Sequence, residues 1–160
     1  MDSNKATLNH FLVDTFNDIL RYEEMALEHL TNHRLSISEV HVLEAVFEAL
    51  PTHQNTPSVV APKLGITLGS LTTAVKTLEK KGYLIRQRAQ DDKRVYYLVP
   101  TPIAEFVNQK HLEFHQGMIE EIVADLTLEE TQTLAKSLEK VRLYFGRKAE
   151  ITRKSSVERK

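Results

Sequence analysis

The chain of 160 residues contains no cysteine and no tryptophan, and only five glycines and five prolines. The missing thiols exclude disulfides, cysteine-ligated zinc, iron–sulfur clusters and thiol catalysis, and nothing points to an oxidising compartment. No apolar run approaches the ~18 residues of a bilayer-spanning helix. The opening Met1-Asp2-Ser3-Asn4-Lys5 has neither the basic start nor the apolar stretch of an export signal. A soluble cytoplasmic protein with no membrane partner is expected. The glycines stand singly, so there is no loop to cradle a phosphate, and no Gly-x-Ser-x-Gly elbow occurs. Carboxylates are scattered over polar helix faces rather than paired. Neither enzyme chemistry nor a cofactor is expected. Few glycines and prolines also predict few turns and much helix. The length suits one domain, 1–160, with long helical arms.

What is present is an uneven charge. The net value of −1 combines two opposed regions. Residues 1–62 carry three basic and nine acidic side chains. Residues 63–94 carry eight basic ones (Lys63, Lys76, Lys80, Lys81, Arg86, Arg88, Lys93, Arg94) against Glu79, Asp91 and Asp92. A local basic block in a neutral chain suits a phosphate-binding surface. On charge alone, a solvated face explains it equally well.

Start and stop signals divide the chain. Leu8, Leu12, Thr15, Ile19, Ala26 and Leu30 recur at helical spacing and predict a first helix over 5–32. Ser36 and Glu39 form a capping box, with Leu35 and Val40 as a hydrophobic staple, before a second helix that ends near Leu50-Pro51. Thr56-Pro57 opens a short third helix that Gly65 stops, with Pro62 as an expected weak point. Thr67 caps a fourth helix, which stops at Gly82. Residues 83–88 and 94–99 are rich in β-branched and aromatic side chains and flank a polar, charged turn, which predicts a hairpin. Thr101-Pro102 opens a fifth helix, and a capping box of Thr127 and Glu130 starts a sixth. The tail 147–160 is basic, has little to bury and is expected to fray.

Two helices around a glycine turn, followed by a basic-tipped hairpin, make a winged helix-turn-helix: a mainly α fold with a small β-hairpin wing, the lobe spanning 36–99. On the fourth helix Leu71, Ala74, Val75 and Leu78 share the face that packs inward. Gly69, Thr72, Thr73, Lys76 and Lys80 lie on or beside the opposite face. Small and hydroxylated groups there allow close approach to a DNA groove. Thr72, Thr73 and Ser70 suit base edges, phosphates or a thymine methyl, and Lys76 and Lys80 suit phosphates. Ser58, at the start of the third helix, joins the DNA-facing candidates. At the hairpin tip Arg94 suits the narrow minor groove. Asp92 is placed to orient its guanidinium, and Arg88 and Lys93 are candidate phosphate clamps.

The run from Thr67 to Tyr83, with its Leu78-Glu79-x-x-Gly82-Tyr83 ending, and then Asp92-Lys93-Arg94, resembles the recognition helix and wing of MarR-type repressors. The resemblance extends over about residues 8–146. Phe16-Asn17-Asp18-Ile19-Leu20 with Glu23-Glu24, the Ile37–His41 segment, Thr67-Leu68-Gly69 with Thr72-Thr73, and His111-x-x-Phe114-His115 before Met118 are similar to the FabT branch, which represses fatty-acid synthesis in Gram-positive bacteria. The resemblance implies a homodimer built through the helices at 5–32 and 101–146, reading a pseudo-palindromic operator in double-stranded DNA. It also implies long-chain acyl-acyl carrier protein as corepressor. The acyl chain would occupy an apolar tunnel, for which Phe11, Phe16, Leu20, Leu43, Phe47, Phe106 and Phe114 are candidate walls; stripes at this spacing also suit plain core. Two departures stand out. Thr101-Pro102-Ile103-Ala104 lacks the glycine of the family's usual Thr-x-x-Gly, and Pro62 interrupts a helix usually built from good formers.

Two competing readings remain. His111 and His115 lie four residues apart on one helix, and His41 and Glu24 are candidates to approach them, which would suit a zinc-responsive repressor; a small aromatic effector is a further variant. A helical interaction module without DNA binding is the other alternative.

Overall fold

The computed structural model describes residues 3–32 and 34–157, with side chains up to residue 149. Its contacts cluster in two compact units, Met1–Phe114 and His115–Lys160. The physical reason lies in the last helix: none of its described side chains is buried, so its contacts are mostly its own.

The first helical stretch is not uniform. α1 (Ser3–His10) leads through a π-helical turn (Phe11–Thr15) into α2 (Phe16–Thr31). The Asn17 side-chain amide donates to the Val13 carbonyl at 2.8 Å, supplying a donor where the regular ladder is interrupted. The apolar spacing did not reveal this turn. α2 ends at Asn32, whose left-handed φ of 50° closes the helix with its N–H on the Glu28 carbonyl.

The lobe follows the expected order. α3 (Ile37–Ala49) starts at the Ser36–Glu39 capping box, with both reciprocal bonds formed. A 3-10 turn (Leu50–Thr52) follows, then α4 (Pro57–Leu64) and α5 (Leu68–Lys80). Pro62 lies inside α4 and the helix continues through it to Leu64. Gly65 ends it at φ 71°, with the Ile66 N–H reaching back to the Ala61 carbonyl. Gly82, at φ 82°, ends the next one in the same way, with the Tyr83 N–H on the Leu78 carbonyl. The axes of α4 and α5 bend by 108°, the geometry of a helix-turn-helix.

β1 (Leu84–Arg88) and β2 (Tyr96–Pro100) pair antiparallel, Leu84 opposite Pro100 and Arg88 opposite Tyr96. The core of the lobe gathers Val40, Leu43 and Val46 from α3, Val60 from α4, Leu71, Val75 and Leu78 from α5, and Leu84 and Leu98 from the wing, all but sealed from solvent. The chain is thus mainly α with a small hairpin, a winged helix-turn-helix.

A polar side chain is also sealed into that core. Asn55 is 5% exposed. Its side-chain amide donates to the Leu98 carbonyl at 2.9 Å, and its own carbonyl accepts the Leu98 N–H at 2.8 Å. The outer edge of β2 is completed there by a single residue, which ties the wing to the segment leading into α4.

α6 (Pro102–Ala124) opens without the glycine usual at position 104. Thr101 does the positioning: its hydroxyl donates to the Gly82 carbonyl at 2.7 Å and its N–H to the Tyr83 carbonyl at 3.1 Å. The second unit contains the end of α6 and α7 (Leu128–Val157), started by the Thr127–Glu130 capping box. The tail expected to fray from Arg147 is helical to Val157; 158–160 lie outside the described residues.

Asn55→Ala removes the buried donor to Leu98. Denaturant unfolding should show a loss of about 1–3 kcal/mol, larger than an exposed asparagine would produce.

Candidate nucleic-acid interface

α5 is amphipathic, and burial of one face dictates what the other presents. Leu71, Val75 and Leu78 are buried and Ala74 is half-buried against the core. Gly69, Ser70, Thr73, Lys76 and Lys80 are exposed, with Thr72 at the margin. The cap is as expected: the Thr67 hydroxyl oxygen accepts the Ser70 N–H at 3.1 Å and pairs with the Ser70 hydroxyl at 2.8 Å.

The wing tip carries a built clamp. Arg94 is 91% exposed at its side chain. Its Nε and Nη2 donate to the two Asp92 carboxylate oxygens at 3.1 and 3.3 Å, and its backbone N–H donates to the same carboxylate at 2.9 Å. These bonds hold the Asp92 carboxyl below the usual carboxylate range. The guanidinium is thereby oriented while still exposed. Ser58, Thr72 and Arg94, far apart in sequence, line one groove of about 200 Å³, together with Leu68, Val95 and Tyr96. Arg88 and Lys93 are exposed on the hairpin. Arg88 borders a separate cavity of about 410 Å³ with His53, Gln87 and Tyr97.

The basic block divides in two. Lys63 pairs with Glu48, Lys81 with Glu39 at 2.7 Å, and Arg86 with Glu79 at 3.0 Å, the last also lying over the Tyr96 ring at 5.1 Å. Glu39 is buried, which pushes its carboxyl up, but hydrogen bonds from Lys81 and Ser36 outweigh this and hold it low. These three cations brace the lobe. Among the described residues, Lys76, Lys80, Arg88 and Lys93 make no ion pair and remain for phosphates. These four are the phosphate candidates that the sequence singled out; the partners of the bracing three lie in other elements, so sequence alone did not show what those three hold.

The metal candidates need correction. Glu24 is exposed, and it is Glu23, 3% exposed, that turns inward. One residue along a helix rotates the side chain by about 100°, and sequence spacing did not resolve the two. Glu23 Oε1 lies 2.7 Å from His111 Nε2 and 3.2 Å from His41 Nε2, while His111 Nδ1 lies 2.7 Å from Glu44 Oε1. Both nitrogens of the buried His111 ring face carboxylate oxygens, so the ring carries both protons. Burial pushes its pKa down, but the bonds with Glu44 and Glu23 outweigh this and raise it above 6.5. Burial likewise pushes Glu23 up, and the bonds from His111 and His41 bring it below 4.5. Glu23, His41, His111 and Glu44 form an ionic clamp joining α2, α3 and α6. His115, a turn beyond His111, falls in the second unit.

The acyl-tunnel candidates are dispersed in the single chain. Leu43 is fully buried in the lobe core and Phe47 packs beside it. Phe11 and Phe16 stack edge-on at 6.5 Å on the outside, and Leu20 is half exposed. Phe114 leans on Tyr22 at 5.1 Å. Phe106 lines a cavity of about 300 Å³ with Leu30, Tyr83, Ile103 and Arg34.

Comparison with known proteins agrees with this geometry. The MarR family profile matches residues 35–96. The solved structure of Streptococcus pneumoniae FabT in complex with DNA is 31% identical, covers 89% of this chain and 97% of that one, and superimposes with a TM-score of 0.82. The Staphylococcus aureus MepR–DNA complex, 17% identical over 89% of this chain and 99% of its own, shares the fold at a TM-score of 0.72. Bacillus subtilis (strain 168) YcgE, an uncharacterised HTH-type transcriptional regulator, is 30% identical over 96 residues. That match takes in 60% of this chain and 58% of YcgE, less than two thirds of that relative's length.

His111→Ala strands two carboxylates and should lower unfolding stability by about 3–5 kcal/mol. The charged ring has a folded pKa above 6.5, so its contribution is complete below that value and fades as pH rises through the raised one. Glu23, lowered from 4.5, contributes above that value and loses its contribution on acidification. The stability gap between wild type and His111→Gln should therefore be widest between about pH 4.5 and 6.5. A gap that widens with alkalinity would contradict the doubly protonated ring.

Proposed function

Since the chain belongs to the MarR family, we propose that it is a DNA-binding transcriptional repressor that acts as a homodimer on a pseudo-palindromic operator and controls fatty-acid synthesis genes. The observation that carries the DNA reading is the grouping of Ser58, Thr72 and the Asp92-oriented Arg94 around one groove, beside the exposed polar face of α5. Lys76, Lys80, Arg88 and Lys93 supply the unpaired charge that phosphates require. α5 lies in the major groove, and Arg94 reaches the adjacent minor groove. Two of the solved structures similar to this chain are themselves complexes with DNA.

The dimer reading rests on uncovered apolar surface. Leu8, Val13, Phe16 and Leu20 in the first helices are 48–58% exposed. In the second unit, Leu128, Leu138, Tyr144 and Phe145 are 44–76% exposed. Apolar surface on this scale calls for a partner, and a second copy of the chain supplies it at both termini. The fatty-acid assignment, with long-chain acyl-acyl carrier protein as corepressor, draws support from the sequence stretches shared with the FabT branch and from the 31% identity to S. pneumoniae FabT.

The test is a gel shift with the chain's own upstream DNA and a fatty-acid gene promoter, with and without acylated carrier protein. Operator binding should tighten with the acylated carrier. Binding that ignores the carrier would overturn the corepressor while leaving the repressor; no binding beyond that to a random duplex would overturn both. With ~6–10 phosphate contacts, affinity should fall by ~10³–10⁵ between 50 and 200 mM salt. Arg94→Ala should cost about 1–3 kcal/mol at fixed salt; unchanged affinity would remove the wing from the contact.

Gly69 makes a separate prediction. A Cβ built there meets only the Thr67 hydroxyl oxygen, at an ordinary 3.8 Å, so nothing inside the chain requires glycine. Gly69→Ala should raise thermal stability by about 0.5–1 kcal/mol and at the same time weaken operator binding. Improved or unchanged binding would show that the helix does not approach DNA at this point.

A further inference from the structure

The polarity of the groups that α5 turns outward restricts which bases it can read. Each threonine on this helix spends its hydroxyl proton on its own backbone: Thr72 donates to the Leu68 carbonyl at 2.8 Å, Thr73 to the Gly69 carbonyl at 3.2 Å, and Thr77 to the Thr73 carbonyl at 3.1 Å. What remains for a ligand is the hydroxyl oxygen, as an acceptor, and the γ-methyl. Ser70, the other hydroxyl of the first turn, is paired with the capping Thr67. Leu68, 54% exposed, adds apolar surface, and Gly69 adds none. The first side-chain cation on this face is Lys76. Thr72 and Thr73 in the leading two turns of α5 thus present acceptors and methyls, with no hydroxyl proton free unless a backbone bond is given up; the one spare proton of the Thr67–Ser70 hydroxyl pair lies at the cap.

In the major groove guanine shows two acceptors, N7 and O6, while cytosine shows an amine donor. An A·T pair shows an amine donor on adenine and a methyl on thymine. Only the A·T pair matches both halves of a back-bonded threonine. A guanine edge would set acceptor against acceptor in a desolvated groove.

Resting on the DNA-binding reading above, we infer that Thr72 and Thr73 are specificity determinants that select A·T pairs beneath the first two turns of α5, by accepting from adenine N6 and packing on the thymine methyl, and that they exclude guanine because neither threonine has a free donor to offer it.

The experiment is selection from a duplex library randomised across one half-site, using the purified full-length chain, followed by affinity measurement on the enriched sites. Three variants separate the two halves of each contact. Thr73→Val and Thr72→Val keep the shape and a methyl but lose the acceptor; Thr73→Ser keeps the hydroxyl but loses the methyl. Wild type should enrich A·T at the positions that respond to these substitutions. Each valine variant should lose about tenfold of the discrimination against G·C at its own position, while affinity for unrelated duplex is unchanged. Thr73→Ser should retain adenine selection and lose the advantage of thymine over uracil. Enrichment of G·C by wild type at those positions would overturn the inference, as would valine variants with unaltered profiles. In either case duplex binding still stands. A library with no sequence enriched over random would instead remove the DNA reading on which the inference rests.

Discussion

The geometry of the interface depends on keeping a two-stranded wing in a fixed relation to two short helices. A two-stranded hairpin is marginal by itself, and this one has an open outer edge on β2. Asn55 closes that edge from both sides of Leu98, at 2.8 and 2.9 Å, inside a core that excludes water. Because those groups have no solvent to turn to, the bonds are costly to break. Leu98 itself seals the core between α3 and the wing. The single constraint therefore acts on both sides: it holds the wing in register and sets the start of α4, so that Ser58, Thr72 and Arg94 meet around one groove.

The remaining interface follows from how charge is spent. Lys63, Lys81 and Arg86 are committed to carboxylates inside the lobe, and Arg94 to Asp92 at its tip. Bracing pairs of this kind add rigidity more than net stability. They leave an α5 surface that is neutral and hydroxylated in its first two turns and cationic further on. In the proposed complex this divides the labour, charge meeting phosphates and uncharged groups meeting base edges.

The clamp of Glu23, His41, His111 and Glu44 has a different function. It ties α2 and α6 to α3. A shift of the helices against the lobe must move through these buried, charged contacts. A cavity with Phe106, Tyr83 and Arg34 lies at the join between α2, the wing base and α6.

Much of this was legible from the chain alone. The capping boxes at Ser36–Glu39 and Thr127–Glu130, the stops at Gly65 and Gly82, and the amphipathic stripe of α5 are local: the residues that decide them lie within a turn of one another, so spacing is sufficient. The fold class, the exposed polar face of α5 and the Asp92–Arg94 pair follow from that locality. Other features depended on residues distant in sequence. The π turn at Phe11–Thr15 shares the apolar spacing of a regular helix. Asn55 reads as a loop residue until Leu98 is placed beside it. Glu23 and Glu24 are adjacent in sequence, and only packing against α3 and α6 shows which turns inward. Local hydrogen bonding and periodicity are determined by neighbours along the chain, whereas burial, ion pairing and the polarity left facing outward belong to whichever surfaces the folded chain brings together.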